Sequence, residues 1–298
     1  MLLSKFSKIY NMQWQGRRES SNVDDRRGIT GGHVAVGGGI VGIIFILAKF
    51  LLGGGDVNQL QHDLQQQPQQ QEMTAEQKAA DDKEASFVKV VLADTEDVWT
   101  KIFGDMGRTY TAPTLVLFRD ATTSGCGTAS SSTGPFYCPA DQDLYIDLSF
   151  ADELRQRFNA SGDFAMAYVV AHEVGHHVQD LLGTTAKMQR LQQSLSETEY
   201  NKYSVRLELQ ADFYAGVWAH YDQQMKNVID PNDIKEALDA ANAIGDDRLQ
   251  KETQGTVTPD SFTHGTSAQR MYWFKKGYET GDLNQGDTFS ATSLSFAY

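Results

Sequence analysis

The sequence predicts an α+β domain, mainly helical with a small β-sheet, preceded by one transmembrane helix. Three observations predict it. The second half of the chain is dominated by runs with helical periodicity. Two short runs rich in β-branched and aromatic residues stand before them. One apolar stretch of about 20 residues lies near the start. At 298 residues, with 40% hydrophobic content, the chain has material for one sizeable core plus appendages.

The apolar stretch occupies residues 33–52, with Lys49 near one end. At 1.5 Å per residue it is long enough to cross ~30 Å of hydrocarbon. Residues 1–32 hold six Lys or Arg against three acids. Basic residues ahead of a span predict a cytoplasmic N-terminal segment and an extracytoplasmic body, periplasmic or at the cell surface. A buried glycine-rich hairpin, or a cleaved signal ending at Gly53-Gly54-Gly55, are the other readings of this stretch. Residues 53–84 form a Gln-rich linker too polar to bury a core of its own. The folded domain then spans 85–298. The chain carries −13 overall, with the acidic excess after the apolar stretch, which argues against a nucleic-acid partner.

The domain opens with an amphipathic helix over residues 94–103. Two strand-like runs follow, Thr114-Leu-Val-Leu-Phe118 and Leu144-Tyr-Ile-Asp-Leu148, separated by a loop that contains Cys126 and Cys138. These are the only two cysteines, and in an oxidising compartment they are expected to form one disulfide. By chain entropy such a bridge stabilises by ~3 kcal/mol, less any strain. Metal binding is the alternative for the pair, with no histidine nearby to support it. Helices are expected over 152–159, after Ser161-Gly162-Asp163, over 187–195, over 197–225, after Pro231 and over 268–278. The polar stretch 246–260 is a candidate cover, and Trp218, Tyr272 and Trp273 are assigned to the core.

The second of these helices carries His172-Glu173-Val174-Gly175-His176-His177. Residues four apart share a helix face, so His172 and His176 can present two imidazoles to one ion. Glu173 is placed to reach a water on that ion. Glu208, in Glu208-Leu-Gln-Ala-Asp212, can supply a third ligand. Asp212, one turn on, can accept a hydrogen bond from the far nitrogen of a ligand histidine. Three protein ligands and an open position form the pattern of a catalytic zinc. Gly175 costs about 1 kcal/mol of helix propensity, which makes sense where backbone or ligand approaches closely. His177 is rotated about 100° from His176 and is expected on the helix flank. His264 has two readings: a donor to a developing oxyanion, or a residue of the turn. The bland alternatives are coincidental histidines and solvated acids on an exposed helix.

H-E-x-x-H followed by E-x-x-x-D resembles the gluzincin class of metallopeptidases. More closely, the chain is similar to the neutral zinc metallopeptidase family of membrane-anchored bacterial proteins. The similarity runs through Arg17-Arg-Glu-Ser-Ser-Asn-Val-Asp-Asp-Arg-Arg27, Gly134-Pro-Phe-Tyr-Cys-Pro139, the two metal motifs and Ser261-Phe-Thr-His-Gly-Thr-Ser267. The resemblance implies a zincin-like domain with Zn2+ held by His172, His176 and Glu208. It implies Glu173 as general base and a peptide or protein substrate. In the gluzincins an edge strand before the motif helix pairs with extended substrate; the run 144–148 is a candidate here, with core packing as its other role. Two further readings remain: a metal-retaining binding module with little turnover, and a zinc hydrolase acting on a non-peptide amide.

Overall fold

Two strands with apolar residues along their length must be covered on both faces, and that requirement sets the architecture. The computed structural model describes residues 12–28, 73–156, 163–254 and 256–290. In chain order the elements are β1 (Val23–Asp25), α1 (Ala75–Asp105), β2 (Thr114–Phe118), β3 (Ala121–Ser124), β4 (Gly127–Ser130), β5 (Phe136–Cys138) and β6 (Asp143–Asp147). Then come α2 (Ser149–Gln156), α3 (Asp163–Leu181), α4 (Thr184–Ser194), α5 (Glu197–Lys226), α6 (Pro231–Ala243), α7 (Asp246–Gln254) and α8 (Ser267–Thr280). The fold is α+β and mainly helical.

The main sheet has the order β1-β2-β6-β5, parallel except for β5, which runs antiparallel to β6. Strands β2 and β6 are therefore interior. Leu115, Leu117, Leu144 and Ile146 face the main core, whereas Val116, Phe118 and Tyr145 pack on the opposite side with Ala129 and Cys138. The β3–β4 hairpin lies on that second side, and the expected Cys126–Cys138 disulfide ties it to β5. The run 144–148 is consequently not an edge. With β2 on one side of it and β5 on the other, its backbone is already paired; among the described residues the edges of the sheet are β1 and β5.

Helix α3 fills the centre of the domain, with residues 164 to 175 all buried. Helices α1, α5 and α6 pack around it, and α8 lies along α5. A Cβ on Gly216 or Gly277 would strike the backbone of the facing helix, at Phe274 and Phe213 respectively, so α5 and α8 touch main chain to main chain.

The folded body begins earlier than expected. Helix α1 starts at Ala75, inside the stretch read as linker, behind a capping box in which Thr74 and Gln77 bond each other's backbone N–H. Residues 12–28 of the basic N-terminal segment also pack on the body. Strand β1 pairs with β2, Trp14 is buried against Phe87, and the Met12 N–H donates to Asp233. Arg17 bonds Asp94 at 2.6 Å, Arg18 bonds Glu96 and Asp97, and Arg27 bonds Asp81. Charges that read as a retention signal are instead matched to the acidic face of α1.

This pairing bears on the predicted topology. The transmembrane anchor at 33–52 and linker residues 53–72 lie outside the described residues. Among the described residues no helix is long and apolar enough to cross a membrane. The described residues on either side of 29–72 are joined by the β1–β2 pairing and by ion pairs, so a single crossing between them would separate β1 from β2. Cysteines introduced at exposed Gln15 and Gln189 are expected to react together, or be protected together, with a membrane-impermeant maleimide on intact cells. Labelling of one without the other would show that arm and body lie on opposite sides.

One buried carboxyl makes stability depend on pH. Asp222 is fully buried, and neither of its oxygens has a hydrogen-bond partner among the described residues. Burial, then the neighbouring charge of Asp94, pushes it up to about 7. An unfolded Asp titrates near 3.9, so between roughly pH 4 and 7 the folded state holds the extra proton. Stability therefore falls as pH rises through that window. Asp222→Asn is expected to flatten the pH dependence of the melting temperature between pH 5 and 8; an unchanged slope would show the carboxyl to be ionised throughout.

Candidate metal centre

Gly175 decides how the two motif helices meet. A Cβ there would lie 2.9 Å from the Ala211 carbonyl oxygen of α5, so any larger residue would force α3 and α5 apart. The close crossing brings His172 and His176, one turn apart on α3, to Glu208 on α5. His172 Nε2 is 3.2 Å from Glu208 Oε2, and His176 Nε2 is 3.4 Å from Glu208 Oε1. One ligand atom from each residue falls within 4.8 Å of the others. Ligands held ~2.0–2.2 Å from a tetrahedral zinc lie roughly 3.3–3.5 Å from one another; the two histidine–glutamate separations, one to each oxygen of Glu208, are close to that spacing. Nitrogen and carboxylate donors of this kind suit zinc, and the residues present fit it.

The opposite ring nitrogens are held as well. His172 Nδ1 is 2.9 Å from Asp212 Oδ1, and His176 Nδ1 is 2.9 Å from Gln179 Oε1. These bonds orient both rings with Nε2 toward Glu208. Gln179 is anchored in turn by the Leu207 carbonyl and Gln210. Asp212 is fully buried and also accepts from Tyr168 and from Arg270, whose Nε and Nη2 are each 2.9 Å away. The pair neutralises a carboxylate that could not otherwise be buried.

The cluster favours positive charge. Burial pulls His172 down, but the charge of Asp212 and hydrogen bonds accepted by Asp212 and Glu208 raise it to about 10. Burial pushes Glu208 up, yet His176 and His172 hold it well below the usual carboxylate range. Glu173, buried beside them, is raised by desolvation, with His172, His176 and the Tyr137 backbone N–H opposing.

These groups open into a cleft of about 510 Å³. Its walls include Phe136 and Tyr137 of β5, Phe150, Leu249 and His264. His264 is held by Asp246. One oxygen of that buried carboxylate accepts the N–H groups of Thr263, His264 and Gly265 at 2.8, 2.6 and 3.0 Å, and the other lies 3.2 Å from His264 Nδ1. The hydrogen bond to Asp246 raises His264 above its ordinary value. The stretch read as a cover thus begins with the residue that shapes the His264 turn and continues as α7. His177 lies off the cluster, its Nε2 2.7 Å from the Thr111 carbonyl.

The structure brings His172, Glu173, His176, Glu208 and His264 to one cleft, with Asp212 buried behind His172. Sequence reasoning missed Gln179, Arg270, Tyr168 and Asp246. Gln179 stands three residues after His176 on the same helix and was findable by spacing; the others meet the site only through tertiary contacts.

Residues 12–289 match the family described as "Putative neutral zinc metallopeptidase". The chain is 50% identical over 286 residues to the uncharacterized protein YpfJ of Escherichia coli K12, covering 93% of this chain and 99% of that one. It is 48% identical over 195 residues to an uncharacterized protein of Mycobacterium tuberculosis H37Rv, covering 62% of this chain and 65% of that one. No solved structure matches.

Proposed function

From the chain's membership in the neutral zinc metallopeptidase family, we propose that it hydrolyses peptide bonds with zinc held by His172, His176 and Glu208. When bound, zinc supplies a Lewis acid that polarises the scissile carbonyl and lowers the pKa of water from 15.7 toward ~7. Glu173 removes the proton from the attacking water and delivers it to the departing amine. His264, oriented by Asp246, donates to the oxygen on which negative charge develops. Asp212 and Gln179 keep the ligand rings in place. The cleft walls formed by Phe136, Phe150 and Leu249 fit apolar side chains flanking the scissile bond.

The observation that carries this reading is the position of Glu173. It is a buried carboxyl that lines the cleft beside the three ligand atoms without being one of them. A metal site with a purely structural role has no use for such a group. The test is zinc stoichiometry and peptide-library cleavage by the full chain. One zinc per chain is expected, with cleavage abolished by a chelator and restored by added zinc. Zinc bound without cleavage of any library would favour a binding module over a peptidase. Absence of stoichiometric metal would overturn the centre itself.

A further inference from the structure

The flank of α3 that faces away from Glu208 is as polar as the metal face. His177 is 1% exposed, and Asp180 stands one turn after it on the same side. Both reach a single atom, the hydroxyl of Tyr137. The Tyr137 oxygen lies 3.1 Å from Asp180 Oδ2 and 3.2 Å from His177 Nδ1. His177 Nε2, 2.7 Å from the Thr111 carbonyl, must carry the ring proton, since a carbonyl can only accept. In the neutral ring that leaves Nδ1 as an acceptor, so the tyrosine proton is shared between Nδ1 and the carboxylate. Gln142, in the turn between β5 and β6, donates to the same carboxylate at 3.0 Å.

Tyr137 is the middle residue of β5, an edge strand of the described sheet. Side chains alternate along a strand, and the two neighbours of Tyr137 point the other way. Phe136 stacks on Tyr145 at 4.8 Å, and Cys138 is tied to the hairpin by the disulfide. Tyr137 is thus a side chain by which β5 is hydrogen-bonded to the metal helix. Tyr137 also lines the cleft that holds Glu173. One residue therefore bonds the flank of α3 by its hydroxyl and forms part of the wall facing the general base.

We propose that His177 and Asp180 are positioning residues, which hold the edge strand at a set distance from the metal helix through the Tyr137 hydroxyl. This rests on the peptidase reading for its consequence in catalysis, though not for the geometry. If the hydroxyl is released, β5 drifts from α3 and the cleft wall at Phe136 and Tyr137 shifts relative to Glu173. A displacement of about 1 Å at a reacting group is worth up to ~100-fold in rate.

The test compares Tyr137→Phe, His177→Asn, Asp180→Ala and Asp180→Asn in the full chain. Two measurements are made: amide hydrogen exchange at residues 136–138, and kcat with KM on a peptide the parent cleaves. Zinc content and melting temperature serve as controls. Tyr137→Phe and Asp180→Ala are expected to speed exchange in β5 while α3 stays protected. They should lower kcat about 10- to 100-fold with zinc fully retained. Asp180→Asn keeps an acceptor for the hydroxyl and is expected to stay near the parental kcat. Parental exchange in Tyr137→Phe would overturn the clamp whether or not any substrate is known. Faster exchange with an unchanged kcat would overturn its role in catalysis. Should His177→Asn fail to fold, Tyr137→Phe and the Asp180 pair still decide. A parent that binds zinc but cleaves nothing would count against the peptidase reading alone, because the exchange measurement stands apart from it.

Discussion

Glu173→Gln is expected to lower kcat by about 10²- to 10⁴-fold while leaving zinc bound at the parental stoichiometry. The amide has the size of the carboxyl and fills the same buried place, so the cleft keeps its shape. It cannot take a proton from water. Because Glu173 contributes no atom to the three-residue cluster, its loss does not touch the metal's own contacts. The comparison is made by measuring metal content and turnover on the same preparations. Parental turnover in the variant would show that another group serves as base. Loss of zinc together with activity would mean that Glu173 is itself a ligand.

Asp212→Ala is expected to have the largest effect on stability, about 3–5 kcal/mol in denaturant unfolding, together with a 10- to 100-fold loss of zinc affinity. The two losses have separate causes. Stability falls because the alanine leaves Arg270, 2% exposed, as a buried charge without its carboxylate partner. Affinity falls because His172 loses the acceptor on its Nδ1. The double variant Asp212→Ala/Arg270→Met separates them. Removing both charges should return much of the stability, whereas zinc affinity should stay low. Equal recovery of both properties would show that the histidine bond contributes nothing to metal binding.

Much of this site is legible in the chain because helical geometry is local. The spacing of His172 and His176 places them on one face whatever the remainder of the protein does. The cysteines, only two and set in a turn-rich loop, pair as expected. Helix α1 was readable further back than its apolar part suggests, since Thr74 and Gln77 carry the capping-box spacing. The Gln-rich composition upstream masked it. Strand β1 was not readable: its three residues, Val23, Asp24 and Asp25, are mostly charged and exposed, and only pairing with β2 makes them a strand. Strand β5 was obscured by its position inside the cysteine loop.

The sequence by itself determined the kind of chemistry, because two imidazoles, a neighbouring carboxyl and a second helix with Glu208 and Asp212 specify donors and their local order. Only the tertiary structure decided which histidine meets Asp212, that Arg270 neutralises that carboxylate, and that β5 lies at an edge of the sheet while the run 144–148 lies inside it. It also decided that the basic arm lies with the body. Each of these depends on residues tens to hundreds of positions apart. A periodicity of 3.6 or 2 residues says which way a side chain points on its own element, but not which element it will face.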